Sequence, residues 1–165
     1  MKNLHNLFAL FAVWTMLSGC ATAPRIPGTK VEDTRFNREP IEVCERYRHA
    51  LEDRDAETLV QMASPNYFED SGTPKAEDDY GYDGLKAVIN ARLVALKSVR
   101  YNVEYRNVLA KQQRAKKGSR AAVDIRYDAS FQLATELGDR WERKQNEKRL
   151  ELEFDGNKWL FVSGM

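Results

Sequence analysis

Two hydrophobic periods divide the chain. Between positions 40 and 96 apolar side chains recur every three or four residues, whereas from Val99 onward they alternate with polar ones. In the first region Ile41, Cys44, Tyr47, Arg48 and Leu51 fall on one side of a helix. Pro40 suits its first turn, and it ends near Asp53. Asp55 is placed to cap a second, shorter helix with Leu59, Met62 and Ala63 inward, stopped by Pro65. Asn66–Phe68 fits a short strand, and the acidic, glycine-punctuated run Glu69–Tyr82 reads as a loop. Asp83 then caps a third helix bearing Leu85, Val88, Ile89, Leu93 and Leu96.

The period of two begins with Val99, Tyr101, Val103 and Tyr105, set against Arg100, Asn102, Glu104 and Arg106. Val108 and Leu109 break that phase and predict a bulge. After the basic turn Lys111–Arg120, the longest clean alternation runs Ala121, Val123, Ile125, Tyr127, Ala129, Phe131, Leu133. Glu136–Arg140 turns the chain back. A third long strand starts at Trp141, is polar in its middle, and resumes with Leu150, Leu152 and Phe154 on the opposite parity. Asp155-Gly156-Asn157 signals a hairpin before the last strand. Helices first and antiparallel strands afterwards give an α+β order.

The amino terminus has a different character. Lys2 precedes the apolar run Leu7–Leu17, too short for a stable membrane span. The run ends in Leu17-Ser-Gly-Cys20, which resembles the bacterial lipobox. The resemblance implies cleavage before Cys20, lipid on its thiol and a second acylation of the new amine. More than one acyl chain makes the anchor durable. Ala21 stands where the inner-membrane retention signal usually has Asp, so the resemblance implies an outer-membrane lipoprotein facing the periplasm. Residues 1–19 are then a signal peptide, and 20–39, with two prolines, one glycine and little periodicity, are the lipidated cysteine and a flexible tether. Such a tether reaches on the order of 20 Å. A single domain is expected over 40–165.

The whole chain carries 26 basic and 25 acidic residues, and removing the leader takes away only Lys2, leaving formal neutrality. Neutrality and the implied compartment argue against nucleic acid as a partner. With Cys20 committed to lipid, Cys44 has no partner, so no disulfide framework exists.

Over Ile41–Met165 the order of elements resembles the NTF2-like (SnoaL-like) superfamily. The motifs that carry this are Arg46-Tyr47-x-x-Ala50-Leu51-x-x-x-Asp55, the helix opening Asp83-Gly84-Leu85, and the closing Asp155-Gly156-x-x-Trp159-x-Phe161. The resemblance implies a cone: three N-terminal helices packed in a curved antiparallel sheet of four to five strands. Within that superfamily Glu45-Arg46-Tyr47 and Glu69-Asp70 resemble the ketosteroid isomerase segments that supply an oxyanion donor and a proton-moving aspartate. The position of that enzyme's second, protonated acid falls on Leu150, which donates nothing. Loss of one such donor costs about 3 kcal/mol of transition-state stabilisation. The isomerase set is incomplete.

Two function classes follow. The leading expectation is a non-catalytic domain that binds a small apolar ligand in the cone, lined or filled by Tyr101, Tyr105, Tyr127, Phe131 and Trp141, or that docks a partner protein. The resemblance also implies a homodimer through the sheet, and an envelope assembly is a further partner. The alternative is an isomerase- or dehydratase-like enzyme with Tyr47 as donor and Asp70 as base on a small hydrophobic substrate. No cofactor is expected. His49, the only histidine after the leader, lies away from the apolar side of its helix, which excludes a histidine metal site or a serine triad. Asp79–Asp83 imitates a calcium loop, but its twelfth position is Asn90 rather than a bidentate Glu, so no metal site is expected. Lys111, Arg114, Lys116, Lys117 and Arg120 form one basic cluster, and Arg140, Arg143, Lys144, Lys148 and Arg149 a second.

Overall fold

A computed structural model describes residues 23–70, 76–110 and 114–165. Cys20 and the whole of 1–19 lie outside the described residues. Helices α1 (Arg35–Asp53), α2 (Ala56–Gln61) and α3 (Tyr82–Val94) precede three long strands, β3 (Leu96–Ala110), β4 (Arg120–Thr135) and β5 (Gly138–Phe154), and a short one, β6 (Trp159–Ser163). These form one curved antiparallel sheet in the order β3-β4-β5-β6. Two short strands, β1 (Phe68–Glu69) and β2 (Tyr80–Gly81), pair with each other inside the segment expected to be a loop.

Helix α1 lies along the concave face. Its Ile41, Cys44, Tyr47 and Ala50 are buried with Tyr105, Val123, Ile125, Leu150, Leu152 and Phe161 of the sheet. Register explains the core. Across β4 and β5, Val123 faces Leu150 and Ala121 faces Leu152 without a slip anywhere along the pair, so one parity of β5 points inward from end to end.

Several boundaries differ from expectation. Helix α1 begins at Arg35, not Pro40, and leaves Pro40 inside the helix. An interior proline costs about 3 kcal/mol. Upstream contacts offset it: Thr34 caps the helix by accepting from Asn37 N at 3.1 Å. Phe36 meets Trp159 edge-on at 5.6 Å, and Trp159 Nε1 donates to Glu39 at 3.1 Å. The expected start of the ordered domain therefore moves upstream. Ile26 N donates to Val31 O at 2.9 Å, and Lys30 N donates to Tyr105 O on the open edge of β3 at 2.9 Å. Lys30 also pairs with Glu104 at 2.5 Å, and Val31 is buried. Residues 24–33 are thus a small hairpin that covers the β3 edge, a common way to protect such an edge from pairing with another chain.

Gly81, not Asp83, is the N-cap of α3, and Asp83 sits in the first turn, where its charge meets the positive end of the helix. The β3 bulge lies between Tyr105 and Asn107 rather than at Val108, and it turns Val108 back toward the core. Leu96 belongs to β3 rather than to the third helix.

The carboxy terminus is fastened by a close approach of two backbones. Gly164 has φ 86°, and a Cβ there would stand 2.1 Å from Arg149 O. Gly118 shares that backbone conformation, at φ 82°, in open space. Gly164→Ala is expected to destabilise by about 2–4 kcal/mol and Gly118→Ala by about 1 kcal/mol. Urea denaturation of both variants checks this; equal midpoints would show that the contact at Gly164 relaxes freely.

Candidate functional site

The open half of the cone, between α1, α3 and the sheet, holds a cavity of about 200 Å³. Leu51 of α1, Leu59 of α2, and Leu85, Val88, Ile89 and Leu93 of α3 form one wall; Val99, Tyr101, Tyr127 and Phe131 of β3 and β4 form the other. The helical wall arises because positions 85, 88, 89, 92 and 93 share one side of a 3.6-residue helix. The sheet wall arises from strand alternation, since Tyr101 faces Ala129 across the ladder and stacks on Tyr127 at 5.2 Å.

Three cations complete the lining: Arg92 from α3, and Lys144 and Lys148 from β5. Arg92 and Lys144 are exposed and Lys148 is half-buried. Lys148 Nζ donates to the Tyr47 hydroxyl at 3.3 Å and lies 5.3 Å and 5.6 Å from the ring centres of Tyr47 and Tyr127. No aspartate, glutamate or histidine side chain is among the lining residues described, which also include Met165.

Burial pushes the Tyr47 hydroxyl above its ordinary range, against which the positive charge of Arg92 pulls it down. Tyr101 is raised by burial and opposed by Lys148. Both phenols therefore stay protonated across ordinary pH, as donors rather than bases. With Lys148 donating to its oxygen, the proton of Tyr47 is available to an acceptor in the cavity. The Tyr101 hydroxyl is fully buried, and Lys148 is the polar group that acts on it.

Of the residues expected to line the cone, Tyr101, Tyr127 and Phe131 do so, together with Tyr47. Tyr105 instead lies in the core beside Glu45 and Cys44. Trp141 is half exposed on the convex face, where Arg100 sits 5.5 Å from its ring. The unbroken β4–β5 register explains this: with Leu150 and Leu152 inward, an odd-numbered Trp141 points outward. Asp70 is exposed and is not among the lining residues. Its neighbour Glu69 has a structural task, accepting from Tyr67 at 2.9 Å and from Gly164 N at 2.8 Å. Tyr47 and Asp70 are thus not brought together in this cavity.

Leu150 is buried in the core, and two residues earlier on the same face Lys148 takes the place beside Tyr47. Cys44 is buried, and burial pushes its thiol far above the ordinary range, which keeps it protonated and unreactive. His49 is exposed on the outer side of α1, beside Arg48. Lys144, Lys148 and Arg92 were not singled out by sequence as lining residues. The signal was present in their parity: 144 and 148 share the inward register of 150 and 152, and 92 follows 85 and 89 on one helical face.

No family model matches the chain, and no curated protein matches it. Solved structures do. A candidate scytalone dehydratase from Novosphingobium aromaticivorans superimposes with TM-score 0.63 at 12% identity, over 78% of this chain and 80% of its own. A candidate dehydratase of the NTF2-like family from Streptomyces avermitilis gives 0.58 at 12% identity, over 76% and 90%. A candidate calcium/calmodulin-dependent protein kinase II association domain from Xanthomonas campestris gives 0.57 at 14% identity, over 89% and 94%. At these identities the likeness is one of fold, and the fold of this chain is NTF2-like.

Proposed function

We propose that the chain is an outer-membrane lipoprotein, anchored through acyl chains on Cys20 and facing the periplasm, whose NTF2-like domain binds a small apolar ligand and does not turn it over. The observation that supports binding is the 200 Å³ cavity walled by aliphatic and aromatic side chains. What supports the absence of turnover is the lack of an acidic or histidine side chain in the described lining. Tyr47 and Lys148 are donors, the described lining has no aspartate, glutamate or histidine side chain, and Asp70 is exposed elsewhere. Isomerase- or dehydratase-like proton transfer needs a base within hydrogen-bond reach of the substrate. The names of the neighbouring structures keep a dehydratase or isomerase as the competing reading, but dehydratase chemistry on Tyr47 and Asp70 would require Asp70 to swing into the cone.

A second, compatible role belongs to the convex face. Trp141 is half exposed there and Leu137, at the tip of the β4–β5 hairpin, is fully exposed. Such a surface suits a second copy of the chain or an envelope partner.

Calorimetry with 1-octanol tests the binding role. One site is expected on the native chain, and Leu93→Trp, which fills the cavity from α3, is expected to weaken it about ten-fold. Octanol that binds the variant equally well removes the cavity from the argument. The anchor has a separate test, labelling with radioactive palmitate in bacteria: label on the native chain and none on Cys20→Ser is expected, and equal labelling ends the lipoprotein reading.

A further inference from the structure

Chemistry at the inner end of the cavity differs from chemistry on its aliphatic walls. Strand β5 carries cations of both parities, and the two sets are treated differently. Outward-pointing Arg143 holds Asp128, with Nε 2.8 Å from Oδ1, and Arg149 holds Asp124 at 2.7 Å. Inward-pointing Lys144 and Lys148, and Arg92 across the cavity from them, have no ion-pair partner among the described residues. Lys148 is half-buried, and its neighbours there are the hydroxyls of Tyr47 and Tyr101 and the faces of the Tyr47 and Tyr127 rings. Ring faces offset part of the cost of drawing an ammonium out of water, but a paired anion offsets far more. Around it stand protons that an anion could accept: the remaining Lys148 protons and the protons of the buried Tyr47 and Tyr101 hydroxyls.

We propose that this cavity takes an anionic amphiphile, with its apolar part against Leu85, Ile89 and Phe131 and an acidic head, carboxylate in character, held by Lys148 and Tyr47. The proposal rests on the reading that the cone holds a ligand, and it narrows the chemical class. Arg92 and Lys144, at the exposed rim, draw the anion in, and the inner lysine fixes the head by charge-assisted hydrogen bonds. Size narrows the class further. A dry cavity of about 150 Å³ admits a benzene ring. The 200 Å³ here takes one small ring or one short chain and not a two-tailed lipid.

The test compares octanoate with 1-octanol, which share a chain and differ in the charge of the head, by calorimetry on the purified full chain. Octanoate is expected to bind about ten-fold tighter or more, the gain of one charge-assisted contact. Raising salt is expected to weaken octanoate and leave octanol unchanged. Lys148→Met is expected to abolish the preference, bringing the two affinities to within about two-fold of each other. The head-group and salt comparisons need no variant, so a failure of Lys148→Met to fold leaves them standing. Equal affinity for the two compounds overturns the anionic class while the cavity-binding reading survives. Binding of neither overturns both. Octanoate binding that Leu93→Trp leaves intact, or a preference that Lys148→Met leaves intact, places the anion elsewhere and overturns the proposal.

Discussion

Phe161→Ala is expected to lower the unfolding free energy by about 3–5 kcal/mol, the range for deleting a fully buried aromatic ring. Phe161 has no exposed surface and stands where all layers meet. Its ring lies 5.3 Å from that of Tyr47, its N–H donates to Met62 O at 2.9 Å, and its carbonyl accepts from Ser64 N at 2.7 Å. The backbone bonds tie β6 to the end of α2 and survive the substitution, so the surroundings are held apart and the void does not close. Urea unfolding measures the loss. Trp141→Ala serves as comparison, because that larger ring lies half exposed on the convex face and is expected to cost under about 1 kcal/mol. Similar losses for the two would show that the inward and outward faces of the sheet have been exchanged. Removing Phe161 also takes away a support of Tyr47, so octanol affinity should fall with stability.

Alkaline unfolding should be steep. Tyr47, Tyr67, Tyr101 and Tyr105 are all buried, and burial is what chiefly raises each hydroxyl above the ordinary tyrosine value of 10.0. The sign follows from which form folding prefers. A raised folded pKa means the native state holds the neutral phenol, so its full contribution is present below pH 10 and is lost as pH climbs above that value. Each tyrosine then removes about 1.4 kcal/mol per pH unit, and the four together about 5 kcal/mol per unit. A domain with an ordinary stability of about 5–15 kcal/mol would be exhausted within about one to three units. Phenolate absorbance from these residues should appear together with the loss of far-ultraviolet circular dichroism, in one cooperative step. Gradual ionisation of all tyrosines with native dichroism intact would contradict the burial described.

Much of the architecture was legible because alternation is a local signal. Val99–Tyr105 and Ala121–Leu133 declare their faces without help from neighbours, and Asp55 and Asp155 sit at the ends they mark. Facing direction needed the register. Trp141 stands among the aromatic residues expected at the cone, but the unbroken pairing of β4 with β5 puts it outside. The same register sorts the second basic cluster. Lys144 and Lys148 face the cavity, whereas Arg143 and Arg149 face solvent and carboxylates, a division that charge alone conceals. The hairpin at 24–33 was hidden for another reason. Prolines and a glycine resemble a linker in composition, but here they make the turn that lets Ile26 and Val31 pack, and edge pairing with β3 is a long-range contact with no local signature. Tyr47 was visible from its helical position, whereas its partner Lys148 lies far along the chain.

That hairpin also fixes how the domain would ride on a bilayer. If lipid sits on Cys20 and the chain is already fastened at Arg25, five peptide steps separate the two, a leash of about 18 Å at full stretch. The outer rim of β3 would then hover beside the headgroups, and the protein would tumble about a short mooring instead of swinging freely through the periplasm.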